Sequence, residues 1–360
     1  MISKKKRIIF FQPAVPEYRK DFFDRLSMIY SLEVYGSVKD FLGVSSFKDR
    51  DYVKLDDGFR QLPFGLYLTR TKLFSIKYSR DDLVVINGNP RILNYMLLFI
   101  FLKIKGVKTV WWGQGWTANS YGISAKIRLQ LMKFADARLL YTDIEKEKIL
   151  TPNTYALNNG LKLVDIPSVS NFDAKVWGDK IRLIFIGRIT KKAKLNLVLD
   201  ALSRLQDYKK FEFHVIGDGP KCEECKSLST RLDLDAILVW HGSIFDEHKV
   251  SRIMEQVDYF IYPGSVGLSL IHAFNYALPA IIHNDSFAHM PEYAAFKDKH
   301  NGLSFSKDNV DSLTKVLERL PNLSKEDYLS MSHNARATVC ETFNTADMAS
   351  RFNLLVKEIS

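Results

Sequence analysis

The sequence predicts an α/β protein in which one layered unit is built twice, each time around a parallel sheet. Short apolar runs of strand length alternate with amphipathic runs of helix length in both halves. Residues 163–180 show no apolar period, contain Pro167, Ser168, Ser170 and Gly178, and separate the halves. In the second half, glycine-bearing turns follow the apolar runs, and a parallel sheet gathers such turns on one rim.

Size and composition agree with this layout. A chain of 360 residues accommodates two domains at ~150 residues each, and 46% hydrophobic with 26% charged residues is an ordinary globular composition. Three cysteines argue against a disulfide framework and fit a reducing compartment. Cys222 and Cys225 form one C-x-x-C, but no second pair or nearby His completes a zinc site. The net charge of +10 suits anionic lipid or phosphorylated substrates; no zinc-finger, RRM or helix-turn-helix signature points to nucleic acid. The basic residues 1–7 lead into Ile8-Ile-Phe-Phe11, which is too short for a signal-peptide core. The longest apolar run, residues 92–104, is broken by Asn94 and Lys103 and falls short of the ~20 residues of a membrane span. The expectation is a cytoplasmic protein, with peripheral attachment to an anionic membrane surface at the inner face of the cell membrane as a further expectation.

The first half opens with a strand at residues 7–12 and a loop, Pro13-Ala-Val-Pro-Glu-Tyr-Arg19. A helix follows at 21–30, with Phe22, Phe23, Leu26 and Ile29 at helical spacing and Asp21 as its expected cap. Residues 32–36 form a second strand, whereas 39–77 show no clear period and receive no topology. Then come a strand at 82–87, an apolar helix at 92–105 closed by Gly106, and a strand at 107–112. A basic helix at 123–135, a strand at 138–141 and a helix capped by Thr142 complete the half. Its strand-end loops carry Glu17, Arg19, Gln114 and Trp116, an oxyanion partner and a stacking surface among them.

The second half restarts with the strand at 181–186, followed by Gly187-Arg188 and three lysines, Lys191, Lys192 and Lys194. Later strand-end loops are Gly217-Asp-Gly-Pro220, His241-Gly-Ser243 and Pro263 to Gly267. The last of these opens a helix-like run from Leu268, whose first amides and dipole suit a phosphate. Four such loops on one rim, with Arg188 and lysines beside them, describe a phosphate-binding edge. Asp233-Leu-Asp235 spells a metal motif, but it precedes a strand instead of following one, so no metal site is expected.

These residues resemble glycosyltransferase family 4 of the GT-B superfamily, of the bacterial polysaccharide-assembly type. The matching pieces are Phe185-Ile-Gly-Arg188 with its lysines, Val215-Ile-Gly-Asp-Gly-Pro220, His241-Gly-Ser-Ile, the segment 258–279 and Asn301-Gly-Leu303. Pro16-Glu-Tyr-Arg19 and Trp112-Gly-Gln-Gly115 extend it loosely into the first half. The resemblance implies two Rossmann-like domains facing across a cleft, with a C-terminal helix returning to the first domain. The implied division is 1–165 for acceptor binding, 166–180 as linker, 181–340 for nucleotide-sugar binding and 341–360 as the returning helix.

It further implies transfer of a sugar from a nucleoside diphosphate sugar to a saccharide acceptor, lipid-linked or not, with retention and without a metal or other cofactor. Arg188 matches the arginine that contacts the donor diphosphate. The family's partner lysine falls on Ala193, so Lys194, or else Lys192, takes that role. Gly267 and Leu268 match the helix-opening pair whose amides hold phosphate, with Ser269 next to them. Gly187, Gly217, Asp218 and Gly219 line the same donor edge. The later of two family glutamates aligns with His272. The earlier has no counterpart in a turn about three residues short, where only Gly264 and Ser265 are near. Glu292 is a candidate replacement. The implied set is therefore Arg188, Lys194 and His272 for catalysis, and Glu17, Arg19, Gln114 and Trp116 for the acceptor. A non-catalytic sugar-nucleotide-binding subunit, or another GT-B enzyme such as an epimerase, stays open at this point.

Overall fold

The computed structural model describes residues 5–39, 41, 43–115, 122–149, 151–164 and 180–359. The chain divides into two compact units, Met1–Lys162 with Asn344–Ser360, and Leu163–Phe343. Of the 166–180 linker read from the sequence, all but Lys180 lies outside the described residues.

The first unit contains β1 (Arg7–Phe11), β2 (Ser31–Ser37), β3 (Val53–Asp56), β4 (Phe59–Gln61), β5 (Tyr67–Thr69), β6 (Leu83–Asn87), β7 (Lys108–Trp112), β8 (Ala137–Leu140) and β9 (Thr154–Ala156). Seven of them form a parallel sheet in the order β3-β2-β1-β6-β7-β8-β9, and β4 pairs with β5 as a separate antiparallel hairpin. Apolar clusters cover both faces of the sheet, which is why β1 and β6 read as unbroken apolar runs. The helices are α1 (Lys20–Ile29), α2 (Leu93–Ile104), α3 (Ile123–Leu131) and α4 (Asp143–Lys148). Thr142 caps α4 by accepting from Glu145 N–H at 3.3 Å. Asp21 does not cap α1. It lies inside the first turn and accepts from Arg25 at 2.7 Å and from the Thr345 hydroxyl at 2.5 Å.

The second unit contains β10 (Ile181–Ile186), β11 (Phe211–Ile216), β12 (Leu238–Gly242), β13 (Tyr259–Tyr262), β14 (Ala280–His283) and β15 (Gly302–Phe305). Their order is β12-β11-β10-β13-β14-β15, again all parallel. The accompanying helices are α5 (Asn196–Ser203), α6 (Cys222–Arg231), α7 (Glu247–Met254), α8 (Leu268–Asn275), α9 (Val310–Arg319) and α10 (Lys325–Glu341). Leu195, Val198, Leu199, Leu202 and Leu205 are all buried, so α5 and its flanks pack this face inward. Both sheets are doubly wound, with the strand order reversing once, between β1 and β6 and between β10 and β13.

The last helix, α11 (Thr345–Ile359), belongs to the first unit and packs on α1. Phe352 is fully buried there, with ring centroids 5.4 Å from Phe10, 6.2 Å from Phe22 and 6.5 Å from Tyr30. Arg351 reaches both carboxylate oxygens of Asp143 at 3.0 Å, and the Tyr155 hydroxyl donates to Glu358 at 2.6 Å. Replacing Phe352 by Ala removes this aromatic anchor and is expected to cost about 3–5 kcal/mol. Urea denaturation followed by tryptophan fluorescence would show an earlier transition; an unchanged midpoint would contradict the packing.

Candidate functional site

In a doubly wound sheet the crevice lies beyond the C-terminal ends of the strands, where the order reverses. In the second unit that point lies between β10 and β13. The loop after β13 is bonded to the loop after β10: Ser265 N–H donates to the Lys192 carbonyl at 3.1 Å. A Cβ at Gly264 would overlap that carbonyl oxygen, so only glycine permits the approach. The loops after β10, β11 and β12 are joined in the same manner. Gly187 N–H donates to Ile216 at 3.0 Å, Gly217 N–H to Gly242 at 2.7 Å, and Ile189 N–H to Asp218 at 2.9 Å. Gly217 has φ +141°, and a Cβ there would overlap the Gly187 carbonyl. The strand-end loops that bear Gly187, Gly217, Asp218 and Gly219 are therefore one hydrogen-bonded rim.

Helix α8 starts on this rim. Gly267 is its N-cap residue and no side chain caps it. The first-turn amides of Leu268 and Ser269 have no acceptor among the described residues, leaving their partial positive charge for a ligand. Glu292 lies close: its Oε2 is 3.6 Å from where a Gly267 Cβ would be, although Glu292 is only 5% exposed. It sits in the first turn of a short 3-10 helix, Pro291–Ala295.

The turn into α8 is braced from below. His289 Nδ1 accepts from Val266 N–H at 3.2 Å, and its Nε2–H donates to the His283 carbonyl at 2.9 Å. With one ring nitrogen accepting and the other donating, His289 is a neutral imidazole of a single tautomer. It stacks on His283 at 3.7 Å and on Tyr293 at 4.4 Å. Burial pushes the His289 pKa down to about 3, helped by His283, and that of His283 to about 4.

The cations divide into two groups. Arg188, Lys191 and Lys192 are exposed, and their side chains make no hydrogen bond or ion pair among the described residues. Lys194, held at φ +54°, is ion-paired with Asp308. A partly exposed pair of this kind is worth about 0–1 kcal/mol, so Asp308 holds Lys194 only loosely. His272 lies one turn into α8 and is bonded to Glu247 of α7 at 2.8 Å. Glu247 also accepts from the Tyr276 hydroxyl at 2.6 Å, and the His272 bond keeps its carboxyl below the usual range. Asp308, Glu247 and the bracing role of His289 were not legible, because each partner lies on another element. Asp235 of the Asp-x-Asp spelling accepts from the Ser229 hydroxyl at 2.8 Å, a local structural bond.

The first unit has its own crevice at the reversal between β1 and β6. A pocket of about 160 Å³ there is lined by Gln12, Arg19, Asn87 and Trp112, among others. Arg19 donates to Asn159 Oδ1 at 3.0 Å and lies over the Trp112 ring at 4.8 Å. Glu17 does not join the pocket; it is exposed and paired with Lys20 at 3.1 Å. Gln114, half-buried just after β7, does not line it either. Trp116 lies outside the described residues. Gln12 and Trp112, which the sequence reading passed over, line the pocket instead.

Residues 170–338, just under half of the chain, match the family described as Glycosyl transferases group 1. Over these residues the chain is similar to glycosyltransferases. It is 20% identical over 191 residues to WcaL of Salmonella typhimurium, provisionally named a colanic acid biosynthesis glycosyltransferase; the match covers 50% of this chain and 46% of that protein. The chain thus spans about half the length of this relative. The lipopolysaccharide outer core galactosyltransferase WaaB, in its apo form, has a TM-score of 0.68 at 14% identity, covering 98% of this chain and 99% of WaaB. Anabaena Alr3699/HepE in complex with UDP and glucose gives 0.68 at 12% identity, covering 98% of this chain and 100% of HepE. At such identities the likeness is one of fold, and the two Rossmann-like bodies are of the GT-B type.

The histidines beneath the rim of the second unit make its stability depend on pH. Folding holds both below their ordinary value of ~6.5, so the unfolded chain binds the protons. Stability is fully present above ~6.5 and falls as pH drops towards 4 and then 3. At pH 5 each histidine accounts for about 2 kcal/mol of that loss. His289→Asn should flatten the decline between pH 7.5 and 5 by that amount in urea unfolding. Identical slopes for variant and wild type would exclude the neutral brace.

Proposed function

We propose that the protein transfers a hexose or hexose derivative from a nucleoside diphosphate sugar to a saccharide acceptor, lipid-linked or free, in the assembly of a surface polysaccharide or lipopolysaccharide. The observation that carries this reading is the rim of the second unit, where unpaired Arg188 and Lys192 share one bonded pair of loops with the uncapped start of α8. The family match over residues 170–338 supports it, as does the likeness to HepE, which was solved with UDP and glucose.

As the glycosidic bond breaks, negative charge grows on the leaving diphosphate. Arg188, Lys192 and the amides of Gly267 to Ser269 meet that charge, and Lys194 adds to it on release from Asp308. Fixed donors need little rearrangement during the reaction, which is what makes them effective. Gly264 and Ser265 shape the floor of the site, and Glu292 is the carboxylate positioned for sugar hydroxyls beside Gly267. His272, oriented by Glu247, takes the ribose side. Retention of configuration and independence of metals complete the reading. The acceptor is taken at the crevice of the first unit, through Arg19 and its neighbours.

Attachment to an anionic membrane belongs to the same reading. Leu97, Ile100 and Ile104 of α2 are exposed, as are Ile123 and Ile127 of α3, and exposed Lys103, Lys105, Lys126 and Lys133 lie among them. Such apolar and basic interleaving suits a lipid surface. No helix among the described residues is long and apolar enough to cross a membrane. Pelleting with anionic vesicles should occur at low salt and weaken as salt rises; no pelleting at low salt would remove the membrane from the reading.

A panel of radiolabelled nucleoside diphosphate sugars with product detection tests the activity. Arg188→Ala should lower turnover by roughly 10²–10³-fold. A donor that binds but is neither transferred nor hydrolysed would make the protein a binding subunit instead.

A further inference from the structure

Three residues that line the pocket of the first unit carry polar groups that nothing among the described residues satisfies. Gln12 Nε2, Arg19 Nη1 and Trp112 Nε1 are all buried and have no hydrogen-bond partner among the described residues. Gln12 is 9% exposed and Trp112 is 2% exposed, whereas Arg19 is half-buried with its Nη1 turned inward. Leaving buried donors unmade is costly, and folded proteins seldom do so without a reason. All three belong to residues that line one pocket of about 160 Å³, well above the ~30 Å³ share of a single water.

The remaining contacts of these side chains set the chemistry of the missing partner. Gln12 Oε1 accepts from Asn87 Nδ2 at 3.4 Å, so the amide group presents its donor side. Arg19 is bonded to a neutral amide, that of Asn159, and stacks on Trp112; it forms no ion pair among the described residues. The neighbouring carboxylate of Glu17 is taken by Lys20. What remains is a set of donors with an uncompensated positive charge, beside the faces of Trp112 and Tyr18. Such a set fits a ligand that only accepts and is negatively charged, since guanidinium groups pair with planar or tetrahedral oxyanions.

We propose that this pocket is a binding site for an oxyanion, a carboxylate or a phosphate, held by Arg19 with Gln12 and Trp112. On the transferase reading, on which only this clause rests, the oxyanion is an acidic group carried by the acceptor.

Isothermal titration of the full chain, in an Arg188→Ala background that removes the second-unit oxyanion site, tests this with D-glucuronate, inorganic phosphate and D-glucose. At least one anion should bind roughly tenfold or more tightly than glucose, and Arg19→Met and Gln12→Leu should each weaken it by a similar factor. Preference for glucuronate assigns a uronic acid, and preference for phosphate assigns a phosphorylated group. Gln12→Leu deletes an unpaired donor at nearly constant volume and gives up only the long 3.4 Å bond from Asn87, so its thermal midpoint should stay close to wild type, which separates lost binding from lost folding. Glucose binding as tightly as both anions, or anion binding indifferent to both substitutions, overturns the site. Anion binding here, with no sugar transfer by the wild-type chain across the donor panel, would leave the pocket standing and remove the transferase reading; wild-type transfer with a pocket blind to charge would do the opposite.

Discussion

The second unit depends on one backbone contact, the approach of Gly264 and Ser265 to the carbonyl of Lys192. It joins the loop after β10 to the loop after β13, the two strands that flank the reversal of the sheet. Without it, the turn bearing Lys191 and Lys192 and the start of α8 would be separate surface features. With it, side-chain cations and backbone amides occupy one fixed frame. A frame set by backbone bonds does not have to be reassembled when charge develops nearby. The buried histidine pair reinforces it from the other side, through the bond between Val266 and His289.

Much of this was legible because parallel sheets turn a linear pattern into a spatial one. Once Gly187-Arg188, Gly217 to Pro220 and Pro263 to Gly267 read as strand-end loops, they had to share a rim, whatever the details of packing. Residues 39–77 resisted because β3 and β4 hold no buried residue, so they lack the apolar runs that marked equally short strands such as β8 and β13. Strands β9 and β15 are only partly buried and escaped for a similar reason. Ion pairs between distant positions left no trace either. Nothing near Lys194 announces Asp308, and nothing near His272 announces Glu247. In the first unit the sequence pointed to Arg19 but passed over Gln12 and Trp112, which look like ordinary strand ends until their unpaired nitrogens are seen.

The two units solve the same problem with different materials. In the second, the groups left over for a ligand are backbone amides at a helix start, with exposed cations around them. In the first, they are side-chain donors fixed by burial and stacking. Amides and lysines tolerate a range of phosphate poses, whereas a buried amide, indole and guanidinium demand one shape. The second unit is therefore suited to a ligand part common to many substrates, and the first to a part that discriminates among them.

Helix α11 has a consequence for how the molecule is made. The first unit needs Phe352 and its neighbours to fill the core beside Phe10 and Phe22, yet these residues leave the ribosome after the whole second unit. The first unit must wait, with an open apolar face on α1, while some 180 intervening residues emerge and fold. The order of maturation thus runs opposite to the order of synthesis. The unit that begins the chain is the last to close, and a ribosome that stalls late releases a finished second unit attached to an unfinished first.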